Sequence, residues 1–296
     1  VPDELKGHQA ALRDIQHDAA GTPGPLYLNP SLRNFSPRFG FAWDVTGDGK
    51  TALRGGFAQL YDIGAFGVTY AISAQGTPPL SCYSSEAGQP LTVPFSFRVP
   101  CKVLRMIDYR VQQPHMLDYN LTVERQLPGR MGLTVGYAGS RGINLMQNKE
   151  GNPQVPDLVD GRKFWPAPPP GSPCSFRRTN PNWCSMELHT GASNSWYNSL
   201  QVGLSKQLTH GLQFQSSYTW SKLLDETQGQ AGADNAVSSI FGVDPSNRRV
   251  DKAPADFDLR HNWRFNAIYQ LPQPFTGGVL GTMLNGWRVG SILSVQ

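Results

Sequence analysis

Apolar and polar residues alternate one for one over long stretches of this chain. Leu117, Tyr119, Leu121 and Val123 fall on one side of the first clear run, and Asp118, Asn120, Thr122 and Glu124 on the other. A period of two is the pattern of a strand with one apolar face. A break at Pro128-Gly129-Arg130 follows, after which Met131, Leu133, Val135 and Tyr137 alternate with Gly132, Thr134, Gly136 and Ala138. Two such runs around a short turn predict a hairpin. The unit recurs. Phe39, Phe41 and Trp43 lead through Gly47-Asp48-Gly49-Lys50 to Leu53 and Phe57, and Leu200, Val202 and Leu204 lead through Thr209-His210-Gly211 to Phe214, Tyr218 and Trp220. Trp263, Phe265, Ala267 and Tyr269 form another stripe, and Trp287, Val289 and Leu293 the last.

The pattern predicts strands over 36–46, 51–62, 116–127, 131–146, 196–208, 212–224, 257–271 and 286–296. Most of them reach the ~9–11 residues of a tilted membrane strand and exceed the ~5–6 of soluble sheets. Their connections differ sharply in length. Turns at 47–50, 128–130 and 209–211 are tight, and 272–285 is intermediate; 63–115, 148–195 and 225–256 are long loops. Short turns at one end and long loops at the other are the layout of an outer-membrane barrel. The expected fold class is all-β: an antiparallel up-and-down meander of about eight long strands, a partial wall of a large outer-membrane β-barrel with long extracellular loops. Residues 35–296 would be that barrel segment. Residues 1–34 would be a loop-side segment, in which Leu5, Leu12 and Ile15, with Asp3 as cap and Gly21 as stop, have the spacing of a short helix.

Period two leaves open which solvent the apolar face meets. A soluble sandwich turns that face onto a packed core; a membrane barrel turns it to lipid and lines its lumen with the other. Strand length and loop asymmetry favour lipid. So do Tyr61, Tyr137, Trp196, Trp220, Tyr269 and Trp287 near strand ends, where interfacial aromatic girdles sit, although aromatic residues favour strands of any kind. Outer-membrane lipid is therefore an expected partner, and the outer membrane of a Gram-negative-type bacterium the expected location.

Composition narrows the picture. Charged residues are only 16%, Gly is 31 and Pro 24, which is unlike a helical bundle, and 10% aromatic content is unlike disorder. The net charge is +4 with no Lys/Arg run, so no nucleic-acid partner is expected. The chain opens on Val1-Pro2-Asp3-Glu4 without the basic start and apolar core of a secretory leader, and it ends within an alternating pattern at Ser294-Val295-Gln296. Both ends read as cuts in a longer chain, making this a fragment.

Four segments resemble the C-terminal barrel of TonB-dependent receptors: NFSPRFGFAWDVTGDGKTALRGGFAQLYD, DYNLTVERQLPGRMGLTVGYAGSRGINL, WYNSLQVGLSKQLTHGLQFQSSYTWSKLLDE and DFDLRHNWRFNAIYQLP. Ser-Tyr-Thr-Trp-Ser-Lys at 217–222 and Asp-Leu-Arg-His at 258–261 are the most specific parts. The nearest likeness is to receptors with an N-terminal carboxypeptidase-regulatory-like domain, and it runs from about residue 34 to 296. The resemblance implies a barrel of ~22 strands, a plug domain in its lumen and energy coupling through TonB. No stretch here resembles the plug or a TonB-contacting segment, and the usual terminal aromatic residue is absent, so the likeness covers barrel wall alone.

Candidate chemistry is sparse. Gly-Asp-Gly-Lys-Thr at 47–51 lacks the first glycine of a phosphate-binding loop, which falls on Asp44, and no helix pattern follows it, so it reads as a hairpin turn. Asp44 and Asp48 lack the downstream Glu of a calcium loop. Asp256, Asp258 and His261 resemble a metal set, but on a strand Asp256 and Asp258 share a face with Arg260 while His261 points away, which favours a lumenal acid–Arg ladder. No catalytic motif occurs, so the expectation is no enzyme, no cofactor, no metal and no assigned binding residue. Cys82 and Cys101 lie in one long loop, Cys174 and Cys184 in another. Loop-local disulfides, each worth about 3 kcal/mol of unfolded-state entropy, are one of three connectivities, and free or cross-loop thiols stay open. An unknown extracellular ligand would meet the loops, which carry Trp165 before a Pro-rich run, Phe176-Arg177-Arg178 and Trp183.

Two functions stand side by side. In one the chain is part of the barrel of a TonB-dependent outer-membrane transporter or receptor, with Asn120, Thr122, Glu124, Gln213, Gln215, Asn262, Arg264 and Asn266 lining the pathway. In the other it belongs to an outer-membrane structural or adhesion protein whose barrel anchors partner-binding loops. A closed eight-stranded barrel is a third architecture.

Overall fold

The computed structural model describes residues 12, 14–20, 34–62, 103–108, 110–227, 241–273 and 277–296. Eight of its strands form one antiparallel meander in chain order: β1 Arg38–Asp44, β2 Thr51–Tyr61, β4 His115–Leu127, β5 Met131–Glu150, β8 Met186–Thr209, β9 Leu212–Asp225, β11 His261–Gln270 and β12 Arg288–Val295. Each alternating run of the sequence became a strand of this sheet, with ends within a few residues for most. Four short strands decorate it: β3 Leu104–Ile107, the hairpin β6 Asp157–Val159 with β7 Arg162–Phe164, and β10 Ala253–Pro254. One short helix, α1 Gly278–Leu284, lies in the connection between β11 and β12.

The register explains why this sheet forms. Trp43, Leu53, Val123, Val135, Val202, Tyr218, Trp263 and Val295 stand opposite one another, strand by strand across all eight. Directly opposed residues share a face, so one unbroken apolar row crosses the sheet. One residue along, Ala42, Arg54, Thr122, Gly136, Gln201, Thr219 and Asn262 form the matching row on the other face. A slip of one residue anywhere would exchange the two faces, and the rows show that none occurs through the middle of the sheet.

The tight turns follow from local chemistry. Between β1 and β2 the Asp44 carboxylate accepts from the Gly47 and Gly49 amides at 3.0 and 2.9 Å, while Asp48 Oδ1 accepts from Lys50 N. Gly47 and Gly49 both have φ +71°, a backbone that glycine adopts without strain. The phosphate-loop-like string is thus a capped hairpin turn.

Among the described residues no packed core backs the apolar face. Trp43 is 57% exposed, Leu121 48% and Val135 37%. The buried apolar clusters among the described residues stand instead at the loop end. Leu104, Met106, Trp183, Met186 and Leu188 enclose Leu12, and Ile107, Val111 and Met146 form a second group.

Two expectations need correction. First, β5 and β8 run on to Glu150 and back to Met186, so much of the 148–195 loop is sheet. A bulge at Gly142–Met146 shifts the register there, and the parallel strand β3 (Leu104 opposite Met186) pairs alongside the β8 extension. Second, Asp256, Asp258 and Arg260 precede β11, which begins at His261, so they lie in a turn and form no strand ladder. Within the early segment, Asp14–His17 make a turn, with Asp18 N donating to Asp14 O at 3.0 Å. Most of the residues expected to be helical before it lie outside the described ones.

Candidate functional site: the polar face and the loop platform

The polar face carries the residues expected along a pathway. Glu124 on β4 accepts from Arg54 Nε on β2 at 3.1 Å, a partly exposed pair bridging neighbouring strands. Gln215 stands opposite Asn266, and Arg264 opposite Ser217 and Ser294. Asn120, Gln213 and Thr122 fall on the same face by register. Toward the loop end this face hollows into a cleft of about 750 Å³, whose lining includes Tyr197, Gln201, Thr219, Asp258 and Asn262. Asn262 is among the residues expected to line a pathway. Tyr197, Gln201 and Thr219 were not among them, although their alternation with Trp196, Leu200 and Trp220 puts them on this same face.

The acid cluster resolves into separate contacts. Asp258 Oδ2 accepts from Arg260 Nε at 3.2 Å, and its Oδ1 from the Leu223 amide at 2.7 Å. His261 Nδ1 and the Tyr218 hydroxyl are 2.8 Å apart on the apolar side. Among the described residues no group of three metal-ligating side chains gathers.

Above the sheet, residues 151–185 form a platform organised by Asn152. Its buried Nδ2 lies within hydrogen-bonding distance of the Asn180, Trp183 and Cys184 carbonyls at 2.9, 3.0 and 2.9 Å, and its Oδ1 accepts from Asn180 N at 2.7 Å. Asn180 Nδ2 reaches the Ile15 and Asp18 carbonyls, each at 2.9 Å, and Trp183 Nε1 donates to Asp18 O at 2.9 Å. The early segment is thereby docked on the platform. Cys174 and Cys184 are joined as a disulfide with Cα atoms 5.0 Å apart. Cys82 and Cys101 lie outside the described residues.

Two ion pairs stiffen the platform. Arg177 binds Asp157 through both guanidinium nitrogens, which holds the Asp157 carboxyl below its ordinary range. Lys163 Nζ on β7 donates to Asp244 Oδ2 at 2.7 Å and ties two long loops together. With Ser246 as a second donor, Asp244 is pushed down to about 2.

An apolar face with no core behind it, a polar face with a cleft, and loops massed at one end define the wall of a transmembrane barrel. Residues 6–296 match the outer membrane beta barrel domain family, and the chain belongs to that family. Its place is the outer membrane of a Gram-negative bacterium. No curated protein matches the chain. Among solved structures it is similar to the ferric-catecholate import receptor Fiu of Escherichia coli K12 (10% identity, TM-score 0.36, 79% of this chain and 22% of that one). It is also similar to the alcaligin outer-membrane receptor FauA of Bordetella pertussis (13%, 0.37, 88% and 29%). A third similar structure is the outer-membrane transporter YddB of Escherichia coli (10%, 0.47, 88% and 33%). The chain spans a third or less of the length of each.

Proposed function

We propose that this chain is a section of the barrel wall of a TonB-dependent outer-membrane transporter, through which a ligand passes by energy-coupled uptake. The observation that supports this reading best is the polar face. Arg54, Glu124, Gln215, Asn262 and Arg264 give it hydrogen-bonding capacity, and it opens into a cleft at the loop end. A pathway or a plug-facing wall needs hydrogen-bonding groups on the face turned from lipid. Energy coupling, and with it the plug and TonB as partners, enters on the resemblance of four segments to TonB-dependent receptors. The receptor type with an N-terminal carboxypeptidase-regulatory-like domain belongs to the same proposal. So does a division in which residues 1–34 serve the loop side and 35–296 the wall.

The test is uptake by cells that make the full-length protein. Iron chelates, cobalamin and oligosaccharides are offered in turn, with and without a protonophore and with and without TonB. Uptake of one of these that depends on the protein and collapses in both depleted conditions is the expected result. A protein that instead promotes attachment to surfaces, unaffected by either depletion, would establish the anchor reading. That alternative draws on the platform of residues 151–185, which is more highly cross-linked than a passage requires.

A further inference from the structure

We infer that the outward rim of the sheet at its loop end holds a binding site for a phosphate-bearing anionic lipid of the outer leaflet, built on Trp196 between Arg141 and Lys252. Trp196 lies on the apolar face, six residues from Val202 of the central row. Lys206 marks the opposite rim on the same strand face. Ten residues separate it from Trp196, about 25 Å along the membrane normal at ~3.3 Å per residue and a tilt of ~40°, which is the height of a barrel's apolar band. Trp196 therefore stands at headgroup level on the loop side, where indole rings settle.

Two cations converge on this ring from either side. Arg141 on β5 is its direct cross-strand partner, with the guanidinium carbon 5.0 Å from the ring centroid. Lys252, in the segment entering β10 next to β9, places Nζ 3.7 Å from the same centroid. Lys222, two residues from the Trp196-facing Leu224, adds a third charge to this face. Two nearby carboxylates have partners of their own. Glu226 is buried and serves the Asn194 amide, the Asn194 side chain and Arg248. Asp251 accepts from the Val243 amide through Oδ1, while its Oδ2 is buried without a hydrogen-bond partner among the described residues.

Cation–π contact with Trp196 orders Arg141 and Lys252 without neutralising them, and leaves their donors free for a further partner. A fixed pair of cations beside an indole, at the depth of lipid headgroups and on the lipid-facing side, complements a phosphate whose acyl chains lie along the apolar rows below. This rests on the lipid-facing orientation of the apolar face and goes beyond the transport reading.

The test uses the full-length protein in nanodiscs of phosphatidylethanolamine doped with bis-phosphorylated lipid A. Native mass spectrometry reads the lipid A retained after release. Lys252→Ala with Arg141→Ala should lower retention at least fivefold, while Lys206→Ala, at the far rim, leaves it unchanged. Removing the phosphates from the lipid should have the effect of the double variant, and millimolar inorganic phosphate should not compete. Should Arg141→Ala impair folding, Lys252→Ala alone, in an exposed segment, should lower retention at least twofold. Unchanged retention in a folded variant, or equal competition by inorganic phosphate, overturns the site. Quenching of Trp196 fluorescence by brominated acyl chains, measured against Trp196→Phe, separates the two failures. An unquenched Trp196 would mean that the sheet faces the other way, whereas quenching with unchanged retention sinks the lipid site alone.

Discussion

Single residues on adjacent strand positions meet opposite solvents. Val135 sits in the middle of the apolar row and Thr134 beside it on the polar face, opposite Glu124 and Gly203. Arginine at the first would place a guanidinium near the bilayer midplane, which costs about 2–4 kcal/mol; at the second it would meet a carboxylate in a wet lumen. In the full-length protein, Val135→Arg should lower the temperature at which the folded form is lost on semi-native gels, or prevent assembly, and Thr134→Arg should leave it nearly unchanged. Equal effects would mean that the two faces see the same solvent. Glycines on the apolar face have a related role. A Cβ on Gly55 would lie 2.5 Å from the Phe41 ring, which occupies the space that the missing side chain leaves. Which residues alternate was plain from the chain, but that Phe41 covers Gly55 depends on register, which pairs positions far apart in sequence.

Elements behave differently at the two ends of the sheet. At the turn end, alternation and Gly/Asp chemistry define short hairpins, and the expected boundaries hold within a few residues. At the loop end, pattern reading fails for a physical reason. The extensions of β5 and β8 hold Gln147, Asn148, Glu187, His189, Thr190 and Ser193, all buried, so their polarity resembles a loop while their backbone pairs as sheet. β3 pairs along the edge of the β8 extension and Phe241 bridges to Asn148, and burial of these polar side chains removes the alternation that one-sided strands show. The loops are tied chiefly by polar contacts, so they should respond to pH. Lys163 and Ser246 hold Asp244 at about 2 in the folded state, against an ordinary carboxyl value of 3.8. A lowered folded-state value means that the tie stabilises the platform fully above about pH 5 and fades as pH falls toward 2. Hydrogen exchange over residues 157–164 and 241–247, corrected for intrinsic rates, should show protection falling between pH 5 and 2.5. Lys163→Met should be less protected at neutral pH and nearly flat with pH. A wild-type profile in that variant would show that the pair does not hold the loops.

For the whole molecule, the open question is closure. Among the described residues β1 pairs only with β2, and β12 only with β11, so the eight-stranded sheet has two free edges. Unpaired backbone groups are costly in lipid and prone to association in water. The 296-residue chain refolded alone in detergent should therefore not run as a compact, heat-modifiable monomer. Such a monomer would indicate that β1 and β12 can pair and close an eight-stranded barrel. Further strands on both edges, as the TonB-dependent reading supplies, would remove the edges instead.

Alternation with a period of two is a local property, so the amino-acid sequence alone determined the eight long strands, their order as hairpins, the division into short turns and long loops, and one apolar face per strand. Which residues of different strands meet, and so whether those faces join into unbroken rows, was decided only by the register of the folded sheet. The same holds for what the apolar face is not packed against, since the absence of a core behind it is a fact of three dimensions. The cleft at Tyr197 and Asn262, the docking of Ile15 and Asp18 on Asn180, and the meeting of Arg141, Trp196 and Lys252 were likewise tertiary outcomes. Each joins residues tens of positions apart, and a pattern repeating every two residues carries no information over that distance.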